Sequence, residues 1–168
     1  MSGLNLNDGS LGKNLAGTKF IGSILTYATF FDDVNLRGAN FSGVLLNNAV
    51  FAGKPADNKM QPDLSGTIFD NATAKDVKFI AVKSVNGDTR TSFKNARLAG
   101  SDFSDSSLTL ADFDGSTLTN VKFNNTWLAN TIFTNIKERI NPDLFKGAAN
   151  LSHADLSGVN WHDVNFSG

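Results

Sequence analysis

Side chains capable of acid–base or metal chemistry are few and widely spaced in this sequence. There are two histidines, His153 and His162, and a single glutamate, Glu138, which stands beside Arg139. A general base needs a reacting partner within hydrogen-bond reach, and a metal site needs several converging ligands. Neither arrangement can be built from these positions. We therefore expect no catalytic residue, no metal site and no cofactor, and we expect Glu138 to pair with Arg139.

The aspartates follow a pattern that favours structural roles. Many stand directly before a large apolar residue, as Asp102, Asp112 and Asp155 do, and others occupy turn positions. Carboxylates at such places accept hydrogen bonds from nearby backbone amides. The spaced glycines between Gly3 and Gly12 lack the strand, lysine and helix of a phosphate-binding loop. The chain is thus predicted not to be an enzyme.

Composition excludes several other classes of protein. The chain of 168 residues suits one domain spanning 1–168, and its net charge of −1 predicts no direct nucleic-acid binding. It has no cysteine, which excludes disulfides and thiolate metal sites. No apolar run approaches the roughly 20 residues that cross a membrane, and no signal-peptide pattern is visible. We expect no membrane contact and a cytoplasmic location.

Large apolar residues recur every five positions. Twenty-five units follow this period, and twelve of the 14 phenylalanines are central residues. The central residues are Leu15, Phe20, Leu25, Phe30, Leu36, Phe41, Leu46, Phe51, Leu64, Phe69, Ala74, Phe79, Phe93, Leu98, Phe103, Leu108, Phe113, Leu118, Phe123, Leu128, Phe133, Leu151, Leu156, Trp161 and Phe166. A period of five fits neither an α-helix nor a plain strand.

The positions around each central residue explain the period. Two residues before it, almost every unit has Ala, Val, Ser or Thr, and two residues after it most units have Gly, Asn or Asp. Gly adopts positive φ without steric cost, and Asn and Asp tolerate it better than other residues. Two inward positions followed by a turn-tolerant residue predict a chain that bends at every unit. Such a chain winds into a solenoid.

Several units closely match the A(D/N)LXX signature of pentapeptide-repeat proteins, namely ANFSG at 39–43, ADFDG at 111–115, ANLSH at 149–153 and ADLSG at 154–158. On these units the chain resembles that family. The resemblance implies an all-β fold, a right-handed quadrilateral β-helix with four units per coil and about seven coils. With four units per coil, the alternation of Leu and Phe predicts that Phe stacks on Phe along two opposite faces. Ser84 would fill a leucine-type position poorly.

Interruptions of the period predict the other segments. Residues 1–14 are expected to cap the N-terminal end, and 52–63, 85–91 and 134–148 are expected to be surface loops. One extra residue between Phe31 and Asp33 indicates a bulge at a corner. The last loop is predicted to contain a short helix with Asn141 as N-cap and Pro142 in the first position.

Outward apolar residues and loop charges are the candidates for partner binding. Ile24 and Leu45 lie one coil plus the extra residue apart, so they should stack. A contiguous apolar patch, or a surface covered by one of the loops, remain equal alternatives. The candidate partner-binding residues are Ile21, Ile24, Tyr27, Phe31, Leu45, Val50, Lys54, Lys59, Trp127, Glu138 and Arg139.

Two functional hypotheses follow. The first is a non-catalytic protein-binding or scaffold module that presents loops and faces on a rigid rod to an unidentified protein partner. The second comes from the resemblance, since some pentapeptide-repeat proteins mimic DNA and modulate gyrase or topoisomerase, giving resistance to quinolones or peptide toxins. Those members are strongly acidic at their surfaces and dimerise through a C-terminal helix. This sequence differs on both points, because its net charge is −1 and its last repeat unit, VNFSG, predicts no such helix. A homodimer through the C-terminal coil, with Trp161 and Phe166, is also expected.

Overall fold

The computed structural model describes residues 13–55, 61–84 and 89–160. The chain winds as a right-handed quadrilateral β-helix, whose regular strands are β1 (Thr29–Phe31), β2 (Val50–Ala52) and β3 (Lys78–Ile80). These three strands are parallel neighbours in the order β1-β2-β3. The only other regular element in the described ranges is a 3-10 helix, Pro142–Phe145. In most units a single residue instead forms isolated parallel bridges with the units on the same face of the neighbouring coils.

Parallel pairing stacks each unit on the unit one coil away. Each central residue therefore belongs to one of four faces. Face 1 contains Leu15, Leu36, Leu64, Ser84, Leu108, Leu128 and Leu151, and face 2 contains Phe20, Phe41, Phe69, Phe93, Phe113, Phe133 and Leu156. Face 3 contains Leu25, Leu46, Ala74, Leu98 and Leu118, and face 4 contains Phe30, Phe51, Phe79, Phe103 and Phe123. Ser84 does fill a leucine position: it is buried and its hydroxyl lies 2.6 Å from that of Thr91.

The corners lie where the sequence predicts them. Every residue of positive φ in the described part of the chain stands two positions after a central residue. Most are Gly, Asn or Asp, and the exceptions are Tyr27, Ala81, Leu110 and His153. The extra residue after β1 lies at such a corner, where Asp32 has φ 56°. The five-residue period is therefore the distance between left-handed corners.

Two phenylalanine columns fill the core, as the alternation of Leu and Phe predicts. Within each column the rings are nearly parallel, with centroids from 4.4 Å (Phe30 to Phe51) to 5.9 Å (Phe123 to Phe145) apart. Across the core, rings of face 2 meet rings of face 4 edge to face, as in Phe103 and Phe113 at 5.6 Å and 89°. Both arrangements are favourable for aromatic pairs.

The segment 134–148 differs from the predicted surface loop. Its helix is confirmed, since Asn141 is the N-cap and its side chain accepts a hydrogen bond from the Asp143 amide at 2.9 Å. However, Ile136, Ile140 and Leu144 are buried, and Phe145 continues the face 4 column. The prediction that 134–148 is a surface loop is therefore wrong, because the segment contributes side chains to the core. A segment that departs from the period still supplies core side chains.

Several predictions fall outside the described residues. They are most of the N-terminal cap 1–14, the tips of the loops 52–63 and 85–91, Lys59, and the C-terminal coil with Trp161, His162 and Phe166. Within the described ranges, no helix has the length and hydrophobicity to cross a membrane.

Phe113 tests the register of the core. It is fully buried and its ring contacts those of Phe93, Phe103, Phe123 and Phe133. Phe113→Ala should lower the free energy of unfolding by about 3–5 kcal/mol, because it leaves a cavity between four rings. Thr119→Ala, at an exposed position, should change it by about 0.5 kcal/mol or less. Denaturant titration measures both, and equal effects would contradict the register.

Hydroxyl groups two residues before central residues link neighbouring coils. Ser106 Oγ donates to the Phe79 carbonyl at 2.7 Å and accepts from the Val82 amide at 3.1 Å. Thr67 and Thr126 donate in the same way to central carbonyls. Ser116 Oγ is buried without a partner among the described residues. The same position therefore stabilises the rod in one unit and not in another.

A pair of alanine variants checks this difference. Ser106→Ala should lower the free energy of unfolding by about 1–3 kcal/mol, because buried backbone groups lose their partner. Ser116→Ala should leave it unchanged or raise it, because it removes an unsatisfied hydroxyl. Thermal unfolding of the two variants distinguishes them; a larger loss for Ser116→Ala would refute the assignment.

Candidate interaction surface

The aspartates before central residues are occupied in capping the corners. Asp102, Asp112 and Asp155 each accept a hydrogen bond at 3.0 Å from the amide two residues ahead. The hydrogen bond from the Ser157 amide lowers the pKa of the Asp155 carboxyl. The role predicted for these carboxylates is confirmed. Among the described residues, no three His, Asp or Glu side chains converge in a way that would hold a metal ion.

The single glutamate has a structural partner that the sequence did not indicate. Its carboxylate accepts a hydrogen bond from the Leu118 amide. In the preceding coil, the corresponding amide of Leu98 donates to the Thr117 carbonyl at 3.1 Å. Glu138 thus supplies a side-chain acceptor where the chain leaves the regular ladder. Arg139, the other candidate here, lines a cavity of about 340 Å³ between face 3 and the insertion.

The first two coils bring together the largest group of exposed apolar side chains. We call Ile21, Ile24, Tyr27 and Leu45 the apolar patch. Ile24 and Leu45 are bridge partners on face 3, as predicted, and Ile21 and Tyr27 lie three residues before and three residues after Ile24 in the chain. Ile24 is 64% exposed and Tyr27 is 58% exposed. Phe31 and Val50, the other candidates nearby, are half-buried on face 4.

The fold does not require this patch to be apolar. The column that begins with Ile24 and Leu45 continues as Thr73, Arg97 and Thr117. Tyr27 has φ 61° at a corner where Asn48 occupies the next coil with φ 59°. A left-handed conformation costs a residue with a bulky side chain roughly 1–2 kcal/mol. Burial does not offset that cost at Tyr27, since its side chain is largely exposed.

Charges in two columns of the rod alternate in sign from coil to coil. On face 4 the residues before the centre run Lys78, Asp102 and Lys122. On face 2, Lys94 lies between coils that carry Asp70 and Asp114. Opposite charges stacked on neighbouring strands attract, whereas like charges repel.

Individual pairs on face 2 show this attraction. Lys94 Nζ is 3.1 Å from Asp112, and the hydrogen bond between them raises the pKa of the lysine. Hydrogen bonds from Thr134 at 2.5 Å and Asn135 at 2.6 Å lower the pKa of Asp114. At the first coil, Lys13 pairs with Asp33, which raises the pKa of the lysine and lowers that of the aspartate. Lys94 and Lys13 are thus paired with carboxylates, and Asp114 is held by neutral hydrogen-bond donors.

A second exposed region lies in the later coils. Trp127 on face 1 is 52% exposed and lines a cavity of about 290 Å³ with Pro55 of the first insertion. Leu110 is exposed at the corner between faces 1 and 2, with φ 67°. Arg90 Nη1 donates to the Leu110 carbonyl at 2.9 Å, so this residue of the second insertion lies against the next coil. The apolar patch and Trp127 therefore lie in different regions of the rod, and Glu138 and Arg139 lie in a third.

The repeats of this chain match those of a known protein family. The family described as pentapeptide repeats matches the chain in eight copies, over residues 31–53, 96–135 and 148–168. Those segments make up half of the sequence. The chain belongs to the pentapeptide-repeat family. None of the curated proteins matches this pentapeptide-repeat protein significantly.

Solved structures of the same family resemble it at low identity. A pentapeptide repeat protein from the Arabidopsis thaliana thylakoid lumen is 24% identical, with 94% of this chain and 86% of that chain covered and a TM-score of 0.35. QnrB1, a plasmid-mediated fluoroquinolone resistance protein, is 15% identical over 84% and 86%, with a TM-score of 0.38. Rfr23 from the cyanobacterium Cyanothece 51142 is 18% identical over 75% and 86%, with a TM-score of 0.33. Such low sequence identities and TM-scores give no information about the function of this chain.

Proposed function

We propose that this pentapeptide-repeat protein is a non-catalytic binding module that holds a protein partner against the apolar patch of its first two coils. The observation that carries the proposal is the exposed cluster of Ile21, Ile24, Tyr27 and Leu45. Several large apolar side chains exposed on two neighbouring coils are typical of protein–protein interaction sites. The stacked coils beneath it form a rigid base, so binding would order few side chains.

Tyr27 strengthens the proposal because two independent features meet there. A tyrosine buries much area at low conformational cost and is enriched among the residues that dominate interfaces. Its positive φ places that ring on a corner where the fold favours Asn. An exposed residue that is strained in its own fold points to a function outside the fold. A partner with a complementary apolar surface accounts for both features.

The charge pattern favours this hypothesis over the DNA mimic. A mimic needs a continuous negative stripe that resembles a phosphate backbone. In the described coils, the column Lys78, Asp102 and Lys122 alternates in sign, so this column carries no continuous negative stripe. The candidate loop residues Lys54, Lys59, Glu138 and Arg139 remain a prediction for a secondary contact.

Affinity capture from native lysate with patch variants tests the proposal. Tyr27→Asn removes the ring and introduces a residue suited to positive φ, so the free energy of unfolding should stay the same or rise by up to about 1 kcal/mol. Ile24→Asp removes apolar area at an exposed position. Both variants should lose a protein that the unchanged chain captures.

Thr117→Asp is the matched control, since Thr117 occupies the same column of face 3 three coils beyond Leu45. It should capture the partner as well as the unchanged chain does. Equal capture by all variants would contradict the patch as the interface. Loss of capture only after replacement of 54–61 by a Gly-Ser turn would move the interface to the first insertion.

A further inference from the structure

A groove at the corner between faces 4 and 1 is formed by two distant parts of the chain. Its volume is about 290 Å³. One wall is Pro55 and Gln61 of the first insertion, which leaves the rod after β2. The floor belongs to later coils and consists of Asp105, Ser106, Ser107, Asn125 and Trp127. Pro55 and Gln61 therefore lie beside the later coils and form a concavity with them.

Trp127 is the exception in its column. The residues that stack with it on face 1 before the central position are all polar: Asn14, Asn35, Asp63, Lys83, Ser107 and Asn150. The fold therefore accepts a polar residue here and gains little from an indole that is 52% exposed. An aromatic surface at the floor of a groove is suited to stacking against a flat ligand.

Polar groups around the indole have unused hydrogen-bonding capacity. The Gln61 side chain forms part of the groove wall, and its amide can both donate and accept hydrogen bonds. Asp105 Oδ1 accepts a hydrogen bond from Asn125 Nδ2 at 3.0 Å. Among the described residues, neither Asp105 Oδ2 nor Asn125 Oδ1 has a partner. Asn125 is exposed and Asp105 is half-buried, so their free oxygens are accessible to a polar ligand in the groove.

We propose that this groove binds a neutral carbohydrate. The C–H face of a pyranose ring packs on the Trp127 indole, and its hydroxyls donate to Asp105 and Asn125. The Gln61 amide both donates and accepts, as a hydroxyl-rich ligand requires. The Asp105 charge opposes phosphates and carboxylates in the same place. The volume lies near the lower end for ligand pockets, about 300–1,000 Å³, which suits one or two sugar rings.

This proposal does not depend on the protein partner, because the apolar patch lies in other coils. Its test is a binding screen on the full chain by saturation-transfer NMR and calorimetry. The probes are glucose, galactose, mannose, xylose and N-acetylglucosamine, their α- and β-linked disaccharides, glucuronic acid and adenosine. At least one neutral sugar should bind saturably at millimolar or lower concentration. Glucuronic acid should bind more weakly than glucose.

Variants then assign the binding to the groove. Trp127→Ala should weaken it at least tenfold, which is about 1.4 kcal/mol, and Asp105→Asn should reduce the discrimination against glucuronic acid. Trp127→Phe keeps an aromatic ring, should bind with intermediate affinity, and serves if the alanine variant does not fold. Leu45→Ala, an exposed truncation in the apolar patch, should bind sugar normally even if protein capture is lost. Absence of sugar binding, preference for adenosine, or full affinity in Trp127→Ala would each overturn the proposal.

Discussion

The core and the outer surface of this rod both depend on the stacking of one coil on the next. Backbone hydrogen bonds hold neighbouring strands about 4.8 Å apart. That spacing is close to the shortest centroid separation that aromatic pairs favour, about 4.5 Å. The rings of Phe79 and Phe103 sit at 4.7 Å with an interplanar angle of 3°. The backbone ladder and the phenylalanine columns therefore reinforce each other, and a change in one must disturb the other.

The same constraint leaves the outer surface free to vary. Each unit commits two inward residues and one left-handed corner, so the remaining positions need only avoid repulsion between coils. Most carry residues that help the fold, such as Asp102 capping a corner amide at 3.0 Å. Tyr27 and Trp127 give the fold no such help, because one is strained and both are exposed. Exposed residues that depart from the repeat pattern without helping the fold are therefore the best candidates for function.

The sequence predicted what depends on the five-residue period. The corners follow from the spacing alone, whereas the faces, the phenylalanine columns and the pairing of Ile24 with Leu45 also need the four units per coil that the family resemblance implies. The period says nothing about how an insertion folds back. Phe145 continues the face 4 column although it lies outside the repeat, and Glu138 replaces a backbone acceptor. The groove beside Trp127 could not be predicted from the sequence either, because Gln61, which lines it, belongs to an earlier coil. Those contacts depend on three-dimensional packing of irregular segments.

Cross-linking across an insertion tests the stacking most directly. Thr73 and Arg97 are bridge partners on face 3, although the second insertion separates them in sequence. The chain has no cysteine, so Thr73→Cys with Arg97→Cys introduces the only two thiols. A bis-methanethiosulfonate reagent with a one-carbon bridge should join them rapidly within one molecule, because paired strands lie about 4.8 Å apart. Thr73→Cys with Asp102→Cys, whose second thiol lies on face 4, should react far more slowly. Equal reaction of the two pairs, or faster reaction of the second, would contradict the register on which the whole account rests.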